Sequence, residues 1–244
     1  MRAREIYVRT VRAYRARAGF LLLLGALVFI PLGLLDALAG EIDLESPGVF
    51  DLETAALIGG VLAQAGTTLL GEVFYAGAVG LTMRQGEHSP PPSLRYVARR
   101  LSYGRLIAVD ILLTLGVALG LLLLIVPGLL FFGWFALAGP IVELEGRGVR
   151  AAFARSRQLV RGSVWTVLLV LVPITLASEA LASGLVELPH LVIHTPFLRN
   201  WVGESLSNIL LSPFYAVAAV LMTLELAARK SERGSSVRSG TGSP

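Results

Sequence analysis

The sequence predicts an all-α polytopic membrane helix bundle: six transmembrane helices with three basic amphipathic arms on the cytoplasmic side. Three observations carry this. Of 244 residues, 55% are apolar and 16% charged, where a soluble domain carries about 25% charge. Six stretches reach or approach the roughly 20 apolar residues that a bilayer crossing needs. Of 21 Lys and Arg residues, 20 fall on one side of a six-span arrangement, and only Arg199 on the other. This composition excludes a disordered chain and argues against a soluble enzyme. The absence of cysteine removes disulfides, iron–sulfur clusters and thiolate zinc sites.

The first span is expected over Phe20 to Ala39, after a start carrying Arg2, Arg4, Arg9, Arg12, Arg15 and Arg17. That start and Ala37-Leu38-Ala39 resemble a signal peptide. The long charged segment, Pro31 and Asp36 favour a retained span instead. The second span falls within Thr54 to Met83. As one helix, 30 residues would reach about 45 Å against a core of about 30 Å, so its start belongs to the outer interface or the helix tilts. Leu106 to Ile125 and Gly128 to Val142 form the third and fourth, with a tight turn expected at Pro127-Gly128. Val164 to Leu185 and Leu206 to Ala228 are the fifth and sixth. Residues 1–230 then form one six-span domain. The Ser/Gly-rich segment 231–244 reads as a disordered cytoplasmic tail.

The cation split places both termini in the cytoplasm of a cell (inner) membrane protein, by the positive-inside rule. The expected first outer loop carries Glu41, Asp43, Glu45, Asp51 and Glu53 with no cation. Each outgoing span follows an arginine-rich stretch with helical apolar spacing: Tyr7, Val11, Tyr14 and Ala18; then Leu94, Val97 and Leu101; then Val149, Ala152, Phe153, Leu159 and Val160. The chain reads as three copies of arm, span, turn, span. Phe74-Tyr75-Ala76 in the second span has its counterpart in Phe214-Tyr215-Ala216 in the sixth. Arms of this kind lie in the headgroup plane with arginines toward anionic phosphates, or simply set topology and anchor the bundle. The partners expected are therefore membrane lipids with anionic headgroups on the cytoplasmic side, and no nucleic acid.

The segment from Val126 to Trp165 carries Pro127-Gly128, Pro140, Glu145-Gly146, Ala151-Ala152, Arg155-Ser156, Leu159-Val160, Gly162 and Trp165. It resembles the membrane domain associated with bacterial glycerophosphoryl diester phosphodiesterases and related multi-pass proteins. The match covers this segment strongly and the six-span layout loosely. The catalytic barrel that names that family has no room here, because every non-membrane segment is short. The resemblance implies an integral membrane protein of unsettled function without phosphodiesterase activity.

Helical periodicity puts Arg150, Arg157 and Arg161 together on the third arm, with Arg155 turned away across the apolar face. Arg155 therefore needs an acid, and Glu143 and Glu145 are nearest in sequence; such a pair would clamp the arm to the bundle. Arg150, Arg157 and Arg161, with Arg95 and Arg99 of the second arm, are the candidate lipid-phosphate contacts.

Glu72 is the most unusual residue. It lies 12 residues before Arg84, roughly 18 Å into the membrane, where an acid costs about 2.5–3.5 kcal/mol to insert. It reads either as a proton or cation carrier, or as a neutral Glu hydrogen-bonded inside the bundle. Asp110, five residues past Arg105, reads as a structural acid that snorkels or pairs with an arm arginine. His190 and His194 share helical spacing, yet Pro189 and Pro196 bracket them and no third imidazole is near; no metal or cofactor is expected. No phosphate loop, nucleophile elbow or paired catalytic carboxylates occur, so no catalytic residue is expected. Gly116 with Gly120, and Gly59, Ala63, Thr67 and Gly71, form small-residue stripes. These serve packing within the bundle or contact with a second copy or partner membrane protein. The overall expectation is a non-catalytic, lipid-embedded scaffold or accessory unit. The competing reading is a small transporter or lipid-handling channel that uses Glu72 and the arms.

Overall fold

In the computed structural model of the chain, the described residues are 3–40, 71–84, 90, 92–187 and 193–240. They form α1 (Ala3–Gly40), α2 (Glu72–Met83), α3 (Leu94–Arg100), α4 (Tyr103–Leu123), α5 (Ile125–Phe135), α6 (Ala138–Glu145), α7 (Val149–Val160), α8 (Val164–Glu187) and α9 (Pro196–Gly240), with no strand among them. Among the described residues, five stretches are long and apolar enough to cross a membrane: 3–34, 103–123, 125–145, 164–185 and 196–232. The chain is an all-α membrane protein. Of the expected second span, residues 54–70 lie outside the described residues, and its remainder is α2.

Apolar periodicity shows which faces meet lipid. On α4, Leu106, Val109, Leu113 and Val117 are buried, while Ile107, Ile111, Leu115 and Leu119 are exposed at a spacing of four. Such an apolar outer stripe would drive aggregation in water and is what hydrocarbon requires. The centre belongs to α2 and α9. Ten of the 12 residues of α2 are buried, and so is every residue from 215 to 223 in α9. These two segments are the ones that share the Phe-Tyr-Ala string. At the same offset Ala78 matches Ala218 and Leu81 matches Leu221. The related helices pack on each other at the core of the bundle.

Three breaks differ from the sequence reading. First, the arm and span of α1 are one element with a kink at Arg17 (φ −126°, ψ 18°). Its buried stripe is Ile6, Thr10, Ala13 and Arg17, one position round from the expected Tyr7, Val11, Tyr14 and Ala18; Val11 is exposed. Tyr7 and Tyr14 still dock: the Tyr7 hydroxyl donates to the Leu169 carbonyl at 2.8 Å, and Tyr14 stacks on Phe214 at 4.3 Å. Second, the turn expected at Pro127-Gly128 comes earlier, at Leu124, which is extended (φ −171°, ψ 151°). Pro127 instead sits in the first turn of α5, where a missing N–H costs nothing. The hairpin closes so tightly that a Cβ on Gly120 would stand 2.7 Å from the Gly128 Cα. Gly116 likewise faces Phe131, so this stripe is used within the chain. Third, the fourth crossing is two helices. Pro140 cannot donate to the Ala136 carbonyl, and the path breaks at Ala136-Leu137. Its second half crosses α2 at Gly139, where a Cβ would meet the Val73 carbonyl at 2.5 Å.

At the other end of the chain α9 continues as helix to Gly240, past the boundary expected near residue 230.

Candidate functional site

Helix α2 begins inside the bundle. Gly71 takes the left-handed conformation (φ 92°), and a Cβ there would lie 2.6 Å from Leu32 Cδ1, so glycine answers both backbone and space. A helix start presents N–H groups without intrahelical partners, which hydrocarbon cannot satisfy. Asp110 supplies the acceptor. Its Oδ2 accepts from the Gly71 N–H at 2.6 Å, and its carboxylate faces the amides of Val73 and Phe74. Carboxylate and positive helix end are matched in sign. Asp110, 4% exposed, therefore caps a helix from a neighbouring one, where the sequence suggested snorkelling or an arm arginine.

Glu143 does the same one layer nearer the arms. It is 4% exposed, and its Oε1 accepts from the Ser102 N–H at 2.8 Å, at the start of α4. Glu143 is thus not the partner of Arg155. That partner is Glu145: Arg155 Nε lies 3.0 Å from Oε1 and 3.1 Å from Oε2, while its Nη1 donates to Gln158 at 3.0 Å. Arg147 also pairs with Glu145. Arg150, Arg157 and Arg161 are exposed, as are Arg95 and Arg99 on α3. Arg157 lies over the Trp134 ring at 5.4 Å. The apolar face of α7 (Ala152, Leu159 and Val160) is buried in the bundle's core, so it is not lowered into lipid as the sequence suggested. Ser156 seals the contact by donating to the Trp134 carbonyl at 2.7 Å.

Glu72 follows Gly71 and faces the opposite way from Asp110, toward α8 and α9. With Thr175, Ser178, Glu179, Asn208, Ser212 and Tyr215 it lines a cleft of about 30 Å³, room for about one water-sized occupant. Glu72 Oε2, Ser212 Oγ and Tyr215 OH are shielded from solvent and have no hydrogen-bond partner. Ser212 Oγ lies beside the Glu72 carboxylate without good hydrogen-bond geometry. Among the described residues, no Lys or Arg lines the cleft. The cleft borders Glu179 on α8, whose side chain is exposed.

The structure separates the two intramembrane acids of the sequence and adds Ser212 and Tyr215, which the sequence reading did not single out. The signal was the repeated string. Superposing Phe74-Tyr75-Ala76 on Phe214-Tyr215-Ala216 sets Glu72 opposite Ser212. In the first copy the Tyr75 hydroxyl donates to the Leu21 carbonyl at 2.7 Å; in the second the Tyr215 hydroxyl has no partner.

His194 is exposed; His88 and His190 lie outside the described residues. Among the described residues no three His, Cys, Asp or Glu side chains gather as metal ligands. No family model, curated protein or solved structure matches the chain.

Proposed function

We propose that this protein is a non-catalytic, lipid-embedded scaffold or accessory unit of the cell membrane, with both termini cytoplasmic and its arginine-rich end on anionic headgroups. The resemblance of Val126 to Trp165 to the membrane domain that accompanies glycerophosphoryl diester phosphodiesterases fits a membrane-embedded unit of this kind. The observation that supports it is the division of labour on α7. Arg155 turns inward to Glu145, while Arg150 and Arg157, on a helix bound firmly to the bundle, and Arg161 at its end stay exposed. Guanidinium groups held in fixed positions suit phosphate better than groups on a loose tail.

Two measurements test this. Native mass spectrometry of the detergent-solubilised protein should retain phosphatidylglycerol in preference to phosphatidylcholine. Replacing Arg150, Arg157 and Arg161 together by Gln should remove that preference; equal retention of both lipids counts against the reading. Single cysteines at Ser46 and Ser236, in a chain with no native cysteine, should label from opposite sides of the membrane. Labelling of both from one side defeats the orientation.

A second reading, a small transporter or lipid-handling channel that uses Glu72, draws support from the polar cleft beside that residue. A substrate gradient coupled to flux in vesicles would favour it.

A further inference from the structure

We propose that the cleft between α2, α8 and α9 is a binding site for a small monovalent cation, held by Glu72, Ser212 and Tyr215. The donor set argues for it. Among the described residues, every polar side-chain atom that lines the cleft is oxygen except the Asn208 amide nitrogen, and oxygen ligands suit hard cations. Three of those oxygens are buried and unpartnered at once, Glu72 Oε2, Ser212 Oγ and Tyr215 OH. Ser212 is 2% exposed and Tyr215 4%, so neither is completed by solvent. Buried oxygens without partners are costly, and a cluster of them around one small void implies an occupant.

The occupant's charge follows from its surroundings. Glu72 brings a carboxylate into a cleft that no Lys or Arg lines among the described residues. Asp110 does not line this cleft, and its Oδ2 accepts from the Gly71 N–H instead. One carboxylate aimed inward with neutral hydroxyl oxygens balances a single positive charge. Glu179, the other carboxylate of the lining, is exposed at the border of the cleft, so a divalent ion would find only Glu72 inside. The volume of about 30 Å³ admits a bare or singly hydrated ion and excludes an organic amine of any length. The hydroxyls of Ser212 and Tyr215 would point lone pairs at the ion. The border with exposed Glu179 supplies an entrance lined by a second acid.

The site stands apart from the lipid reading, and one experiment separates them. The full-length protein in phosphatidylcholine nanodiscs is melted while its tryptophan fluorescence is followed. Sodium chloride is titrated against choline chloride at constant ionic strength and fixed pH. Saturable stabilisation by sodium over choline is expected. Glu72→Gln should abolish it while the variant folds normally by circular dichroism. Ser212→Ala and Tyr215→Phe should each weaken the apparent sodium affinity about tenfold, the effect of losing one oxygen ligand. The triple arginine variant should leave it unchanged. Should Glu72→Gln fail to fold, Tyr215→Phe, which deletes a single oxygen, carries the test. Identical melting in sodium and choline overturns the proposal and leaves a water as the occupant. Dependence on pH alone, stabilisation by calcium alone, or undiminished sodium affinity in Tyr215→Phe overturns it equally.

Discussion

Asp110 and Glu72 flank the same helix start and share almost the same chemistry, yet they meet opposite fates. Asp110 Oδ2 accepts from the Gly71 N–H and the carboxylate faces further amides of α2, which leaves only Oδ1 without a hydrogen-bond partner. Glu72 faces hydroxyls that it does not bond. A buried acid by itself therefore says little about function. What counts is whether the surrounding donors are already spent on it. An acid whose donors are fixed backbone amides is part of the scaffold. An acid among unspent oxygens has capacity left for a ligand.

The largest expected effect is on the Asp110 side. Asp110→Ala strands the amides at the start of α2 and should lower stability in mixed micelles by about 2–3 kcal/mol. Asp110→Asn keeps an acceptor and should cost less than half of that. If Asp110→Ala proves no worse than Glu72→Ala, the contrast between the two acids collapses.

Gly71→Ala attacks the helix break that both acids share. The left-handed backbone and the approach of Leu32 Cδ1 make a loss of about 1–3 kcal/mol the expected outcome in the same denaturation assay. A neutral result would mean that α2 starts elsewhere.

Arg155→Ala supplies a reference from the rim. The Arg155–Glu145 pair is partly exposed, and Arg147 remains beside Glu145, so about 0.5–1 kcal/mol is expected. Arg157→Ala, which gives up only its place over Trp134, should cost less. Equal losses would show that α7 is held by its apolar face alone.

Glu72→Gln should show the smallest effect. In sodium-free buffer its stability should lie within about 0.5 kcal/mol of the parent, because Gln fits the same space and no bond of Glu72 is lost. A loss as large as that of Asp110→Ala would make Glu72 a second scaffold acid.

The membrane class, the helical arms and the existence of two intramembrane acids follow from the sequence alone. Their signals are local: an apolar run, a stripe at helical spacing, a charge where hydrocarbon forbids one. The inward turn of Arg155 belongs with them, since periodicity separates it from Arg150, Arg157 and Arg161. Which partner each charge finds is another matter. Glu143 and Glu145 are two residues apart, yet one caps α4 and the other holds Arg155. Local sequence cannot rank them, because the competing donors arrive from Ser102 and from α7. The breaks at Leu124 and Ala136-Leu137 likewise depend on how closely glycines let neighbouring backbones approach. Ser212 and Tyr215 are ordinary residues in an apolar run until α2 packs against α9 and sets Glu72 beside them. Tertiary structure alone decided that meeting, because a side chain's hydrogen-bond partners are fixed by which helices touch, and that is a property of the whole bundle.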